Sequence, residues 1–411
     1  MVETFSLLTD IQKQNIDFIL QKADTHHLDK VRTQYNVLRG RSLDITRQNV
    51  LNMLMMEQIP ISEFMQWLSH VHLDGNNTLF VYEPQDSSVF TQNTVEFVIH
   101  KLQNELVSLY DINNSDFHNI KIVDLSHLIG KEQLIITFAA PSQLQIKNPI
   151  GELELKNDIF LAYIIIDYKL KQIVLMMHPT TNLASIYGEV KENHQLDKLA
   201  KIFMYTFKNN IFKFDSIYPD WIVGALYKIT NEYFHHNNPI ITEKVTSFKN
   251  NHLDTIVKDI LAIDSKLNRE DIILRLNRGL SNLFENELLS IHKTVPKEHT
   301  FEVFLQESGK GVTEYKAFSK NKSFKLAESR ELIKLMWENG NIVSLGITDK
   351  TTDINGLDKS HPYIINIENE YFSLKKYNTA TTEKEVVDRV LQKLIDYKQE
   401  IQPSLGVAEE A

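Results

Sequence analysis

Cysteine is absent from this chain. That single absence removes disulfides, thiolate zinc sites, iron–sulfur clusters and cysteine nucleophiles together, and it suits a cytoplasmic setting. Long apolar runs are missing too. The longest, FLAYIII at 160–166, is far short of the ~20 residues that span a bilayer. The N-terminal MVETFSLLTDIQKQNIDF carries neither the basic stretch nor the apolar core of a signal peptide. An excess of positive charge is also lacking. The formal net charge is −10, which argues against attraction of the whole surface to nucleic acid or anionic lipid but leaves room for a local basic patch. These absences predict a soluble, cytoplasmic protein with no membrane contact.

The usual catalytic signatures are missing as well. The chain has no H-E-x-x-H, no G-x-S-x-G, and no G-x-G-x-x-G after a strand. SGKGVT at 308–313 contains a Gly-Lys, but a phosphate loop needs glycine at position 304, where phenylalanine stands. It reads as a hairpin turn. No cofactor and no metal are expected.

What is present is an ordinary globular composition, 42% hydrophobic and 24% charged over 411 residues, long enough for two or three domains. Residues 8–57 read as helices. Ile11, Ile16, Ile19 and Leu20 form one apolar face, Val31, Tyr35 and Leu38 a second, and Val50, Leu51, Leu54 and Met55 a third. Asp44 or Thr46 is the expected N-cap of the third helix, and Pro60 its end. From residue 78 the pattern turns strand-like: LFVYEP, then NIKIVDL, EQLIITFAA, DIFLAYIIIDY and KQIVLMMHP, with a helix over 92–109 between the first two. The last two runs are apolar on both faces, which predicts a central hairpin covered on both sides. Helices return over 195–236 and 243–292, and FHHNNP at 234–239 reads as a loop. Beyond Pro296 come TFEVFLQ and VTEYKAF around SGKG, a possible strand SFKLA, a helix ESRELIKLMWENG, three strands and a final amphipathic helix. The expected fold is α+β: a helical module (1–75), a mixed sheet domain (76–240), a helical connector (241–295) and a C-terminal α+β domain (296–411).

The arginines are unevenly spread. Four of nine, Arg32, Arg39, Arg41 and Arg47, lie within 32–47, none lies within 48–268, and Arg269, Arg275 and Arg278 fall within ten residues. A guanidinium grips a phosphate through two bonds at once and stacks on bases, which an ammonium cannot do. Residues 29–47 hold five basic groups against two acidic ones, Asp29 and Asp44. Amides at the start of the helix after Gly40 would also face an anion. Arg275 and Arg278, three apart, share a helix face, where pairing with Glu285 and Glu287 is the plainer role.

The stretch LDKVRTQYNVLRGRSLDITRQNVLNML resembles the helix–extended loop–helix of small SAP-type DNA-binding modules. The wider order, a helical part followed by LMMEQIPISEFMQWLSHVHLDGNNTLFVYE and a mixed sheet, is similar to the kinetochore CENP-N family. That resemblance implies contact with nucleosomal DNA by the two parts together, and none of the family's contact residues is carried over. A place in a bacterial defence or DNA-maintenance complex would suit such a reader.

Other chemistry is weighed against these. GELELK offers Glu154 and Lys156 as an E-x-K pair on one strand face, with Asp124 or Asp158 as a second acid, the outline of a Mg²⁺-dependent nuclease. The same pattern is common on any solvated strand. His70, His72 and Asp74 at a helix–strand joint read as turn chemistry around Gly75, with a histidine metal site as the alternative. His235 and His236 diverge too far to chelate. Phe203, Tyr205, Phe207, Phe212 and Phe214 read as core; Tyr315 and Phe318, among Lys316, Lys320, Lys322 and Lys325, could follow a phosphate backbone or mark a lysine-protected strand edge. The expected function is a non-catalytic nucleic-acid-binding or adaptor protein. It would meet the phosphate backbone through Arg32, Arg39, Arg41 and Arg47, with Arg275 and Arg278, and work with a protein partner or as a homo-oligomer. The alternatives are the nuclease and a protein-only scaffold.

Overall fold

Helix–strand alternation in the sequence becomes an α+β fold in the computed structural model. The structure describes residues 8–402 except 181, 193–195, 235, 237, 265, 293–298, 309–314, 321–323, 325–341 and 353–355. These residues form two compact units. The first holds 8–219 and returns for 368–392; the second holds 220–367 and 393–402. The boundaries expected at 75, 240 and 295 do not coincide with this division.

The first unit begins with four helices: α1 (Asp10–Leu20), α2 (Thr25–Tyr35), α3 (Leu43–Met55) and α4 (Ile61–Ser69). Thr9 caps α1 reciprocally with Gln12, and the 3.6-residue period buries Ile16, Ile19 and Leu20 completely. Ile11, expected on that face, is 60% exposed. Ser42 caps α3 through the Ile45 N–H, not Asp44 or Thr46. The chain leaves α3 at Met56, and Glu57 takes a left-handed conformation. Pro60 therefore precedes α4 as its N-cap.

The sheet of this unit is antiparallel throughout, in the order β7-β6-β3-β4-β5-β1-β12. Its strands are β1 (Thr78–Tyr82), β2 (Lys121–Leu128), β3 (Gln133–Lys147), β4 (Leu153–Asp167), β5 (Gln172–Met177), β6 (Leu183–Ile186), β7 (Glu189–Val190) and β12 (Phe372–Lys376). The 15-residue β3 has β4 along one side from Gln133↔Asp167 to Lys147↔Leu153. On its other side β2 covers the first half and β6 the second. β4 and β5 form the expected hairpin, turned at Lys171 in a left-handed conformation. Alternate residues serve two cores. Leu134, Ile136 and Phe138, with Ala162, Ile164 and Ile166 and with Ile173 and Leu175, pack against α5 (Gln92–Gln103) and α6 (Asp197–Asn210). Tyr163, of the opposite parity, accepts a hydrogen bond from the His72 N–H at 3.1 Å, on the side of the N-terminal helices. The hairpin is covered on both faces, as its apolar run predicts. The helix expected over 92–109 stops at Gln103, and Leu109–Asp111 is a separate 3₁₀ turn.

The second unit contains α7 (Trp221–Phe234), a hairpin of α8 (Pro239–Ile263) and α9 (Arg269–His292), and the antiparallel strands β8 (Glu302–Ser308), β9 (Lys316–Phe318), β10 (Ile342–Thr352) and β11 (Asp358–Ile367). Ile241 and Val245 near the start of α8 meet Leu288 and Leu289 near the end of α9, which fixes the two helices antiparallel. The C-terminal α10 (Lys384–Ile401) gives its first half to one unit and its second to the other. The expected helix ESRELIKLMWENG and the SGKG turn lie outside the described residues, as does most of SFKLA. Among the described residues no helix is long and apolar enough to cross a membrane.

Candidate nucleic-acid interface

The turn between α2 and α3 is braced at successive points. Asn36 ends α2 in a left-handed conformation, which asparagine tolerates better than most residues. Val37 is buried and donates to the Arg32 carbonyl at 3.0 Å. The Leu38 carbonyl accepts from Asn49 Nδ2 at 2.9 Å, and the Gly40 N–H donates to Thr46 Oγ1 at 3.0 Å. A Cβ on Gly40 would sit 2.6 Å from the Ile45 side chain and 2.7 Å from the Thr46 nitrogen. Only glycine lets the turn lie this close to α3. Thr46, a candidate N-cap in the sequence, spends its hydroxyl on this brace.

The four clustered arginines divide into two pairs. Arg47 is drawn inward: its guanidinium donates to the Gln21 carbonyl at 2.9 Å, the Ala23 carbonyl at 2.7 Å and Asp44 Oδ1 at 3.0 Å. It ties the start of α3 to the turn after α1. Arg32 Nε donates to Asp29 one helical turn earlier, at 3.0 Å. Arg39 and Arg41, by contrast, are exposed on either side of Gly40, and neither is hydrogen-bonded or ion-paired among the described residues. Leu38 beside them is 80% exposed. Lys30, the other nearby cation, is taken by Asp74 at 2.5 Å.

Arg275 and Arg278 belong to α9 in the second unit. Arg275 is exposed, and the Arg278 side chain lies outside the described residues. Glu285, expected to pair along this helix, approaches His236 Nε2 at 3.5 Å. Arg269 approaches Asp254 of α8 at 3.5 Å.

The nuclease outline does not assemble around Glu154 and Lys156. Both are exposed on β4, opposite Ile146 and Leu144 of β3. Asp158 is held by Lys22 at 2.5 Å, and Asp124 lies 2.9 Å from His70 Nε2 and accepts from Ser126. Among the described residues no group of three or more histidine, aspartate or glutamate side chains is placed to hold a metal ion.

The joint at 70–77 is held by partners far along the chain and by one local brace. His70 turns to Asp124. His72 is half-buried and stacks on His178, ring centroids 4.5 Å apart and planes 10° apart, with the His27 ring 6.2 Å away on edge. Asn77 donates to the His72 carbonyl at 2.8 Å and the Leu73 carbonyl at 3.0 Å. Burial, reinforced by the neighbouring histidines and Lys22, holds His72 well below the ordinary imidazole value. Burial also brings His178 down to about 4. Asp74 accepts from Lys30 and from the Lys384 N–H. Burial opposes its ionisation, and these bonds outweigh it, holding the carboxyl below its usual range. The three joint residues thus serve three different contacts. Sequence spacing could not show the stack, because five strands and the helix α5 lie between His72 and His178.

Of the aromatics, Phe203, Phe207 and Phe214 are core, Phe212 is half-buried, and Tyr205 is 72% exposed on α6. Lys316 pairs with Glu307 across β8 and β9; Lys322 and Lys325 lie outside the described residues.

No family model matches the chain, and no curated protein matches it. Among solved structures, an RNA-binding light-oxygen-voltage receptor aligns over 80% of this chain and 98% of its own at 9% identity. Its TM-score of 0.09 is too low to carry an argument about fold or function.

Proposed function

We propose that the protein is a cytoplasmic, non-catalytic nucleic-acid-binding or adaptor protein that takes a phosphate on the turn between α2 and α3. One observation carries this reading: Arg39 and Arg41 are exposed, and unpaired among the described residues, on a turn whose backbone is braced by Asn49 and Thr46. The braced backbone fixes where the two side chains leave the turn, and their planar forks match phosphate oxygens. Arg32 and Arg47 leave the contact set and become its scaffold. A defence or DNA-maintenance complex is the setting such a protein would suit, with a protein partner or a second copy supplying further surface.

Counterion release gives the test. Affinity for DNA or RNA falls with salt by a log–log slope of roughly −0.9 per phosphate contact on a duplex and about −0.7 on a single strand. Replacing Arg39 and Arg41 together by alanine is expected to flatten the slope by about two contacts, while Arg32→Ala leaves it unchanged. A slope that stays the same in the double variant removes the proposal. Failure to retain nucleic acid even at low salt would favour the scaffold reading.

A further inference from the structure

A cleft of about 400 Å³ opens in the first unit where β4, β3 and β6 lie side by side. Asp158 stands opposite Ser142, and Ser142 opposite Ile186. Ser142 is 5% exposed, and its Oγ has no hydrogen-bond partner among the described residues. Asn114, on the loop that closes one side, donates through Nδ2 to the Asn157 carbonyl, while its Oδ1 is buried with no partner among the described residues. Asn114 and Ser142 both line this cleft. Asp158 adds a carboxylate with only Oδ1 engaged by Lys22. Phe117 and Tyr187 supply aromatic rings to the walls. Tyr187 holds its place in a left-handed conformation, φ +50°, which a bulky residue adopts only when its surroundings fix it. Its N–H donates to the Pro141 carbonyl at 2.8 Å.

This lining suits a flat, uncharged ring that donates hydrogen bonds from its edge. We propose that the cleft is a binding site for a nucleobase bearing an exocyclic amine, presented unstacked by a single strand. The rings offer stacking surface, and Asn114 Oδ1, Ser142 Oγ and Asp158 offer acceptors for the amine. The choice of a base over another polar ring rests on the nucleic-acid reading above, and one chain of contacts joins the two sites. The basic turn leads into α3, Arg47 of α3 grips the carbonyls of Gln21 and Ala23, and Lys22 between them grips Asp158 on the cleft wall.

Free nucleosides test the cleft without involving the phosphate site. In ligand-detected NMR with the full chain, adenosine and cytidine are expected to bind and to compete with each other, and thymidine to bind at least several-fold more weakly. Tyr187→Gly removes the ring while leaving the left-handed turn and the backbone hydrogen bond in place. It is expected to weaken adenosine by about tenfold, within the range measured for base–aromatic stacking. The Arg39/Arg41 double alanine variant is expected to bind adenosine as the unaltered protein does. Nucleoside binding that survives alongside an unchanged salt slope would overturn the phosphate reading and leave the cleft standing. Absence of nucleoside binding, equal binding of thymidine, or indifference to Tyr187→Gly would each overturn the cleft proposal.

Discussion

Arg47 shows how a cation can be prominent in sequence and unavailable to a ligand. Its fork satisfies the carbonyls of Gln21 and Ala23 and one oxygen of Asp44. Charged hydrogen bonds of this kind contribute about 1.5–3 kcal/mol each when partly buried. A lysine could reach one of the acceptors but cannot span all three in a plane. Arg47→Ala is therefore expected to lower stability by about 2–3 kcal/mol, and Arg47→Lys to recover less than half of that. Urea unfolding followed by fluorescence checks both. Neither change should alter the salt slope beyond its error; a flattening as large as that of the Arg39/Arg41 variant would return Arg47 to the binding surface. Counting basic residues between 29 and 47 locates the patch but cannot divide it. The dividing groups, the backbone carbonyls at 21 and 23, have no signature in the sequence.

At the scale of elements, regular periodicity was readable and local exchange of partners was not. The apolar period of α1 and α3 placed Ile16, Ile19, Val50 and Leu54 in the core, where they lie. The apolar runs of β4 and β5 announced a strand pair covered on both faces, because alternation disappears when helices lie on each side. The start of α3 was legible only in outline. Asp44, Thr46 and Ser42 all have capping side chains; Ser42 takes the cap, while Thr46 accepts from the Gly40 N–H and Asp44 pairs with Arg47. The candidate site was legible to the same extent: Arg39 and Arg41 could be singled out, but their separation from Arg32 and Arg47 required the fold. The cleft was not legible, since Asn114, Ser142, Asp158 and Tyr187 come from four elements with no common spacing. The α2–α3 turn yields its own prediction. Gly40→Ala forces a methyl group to within 2.6 Å of Ile45, so the turn must lift from α3 and loosen the Thr46 hydrogen bond. A cost of about 1–3 kcal/mol is expected, read as a lower thermal midpoint, together with weaker binding at the basic turn. An unchanged midpoint would mean that the close approach is not a constraint.

For the whole molecule, the division into two units interleaved along the chain has no linker to advertise it. Residues 368–392 return to the first unit because β12 pairs with β1 and because Lys384 is buried there, bonded to Gln133 and Asp388. Pairing between strands nearly 300 residues apart cannot be read from local composition. This distant closure also brackets the histidine stack, since Thr382 and Gly75 exchange backbone hydrogen bonds beside the joint. The pH dependence of the first unit should therefore report on the stack. His72 and His178 have folded-state values below the ordinary 6.5, so the unfolded chain binds protons first as pH falls. Their contribution is flat above about pH 6.5. It then declines as pH drops toward about 4, where His178 protonates in the folded state. Over that window each histidine costs up to about 1.4 kcal/mol per pH unit, or about 2 kcal/mol between pH 6.5 and 5. Asp74, whose value is lowered, loses its contribution only below the ordinary carboxylate range, so it does not mask this effect. Hydrogen exchange in peptides from α4 and β1, corrected for the intrinsic effect of pH, should show protection falling between pH 7 and 5. His178→Gln, neutral at both values, should remove roughly half of that fall. If the variant loses protection as steeply as the unaltered protein, protonation of the stack is not what loosens this unit in acid.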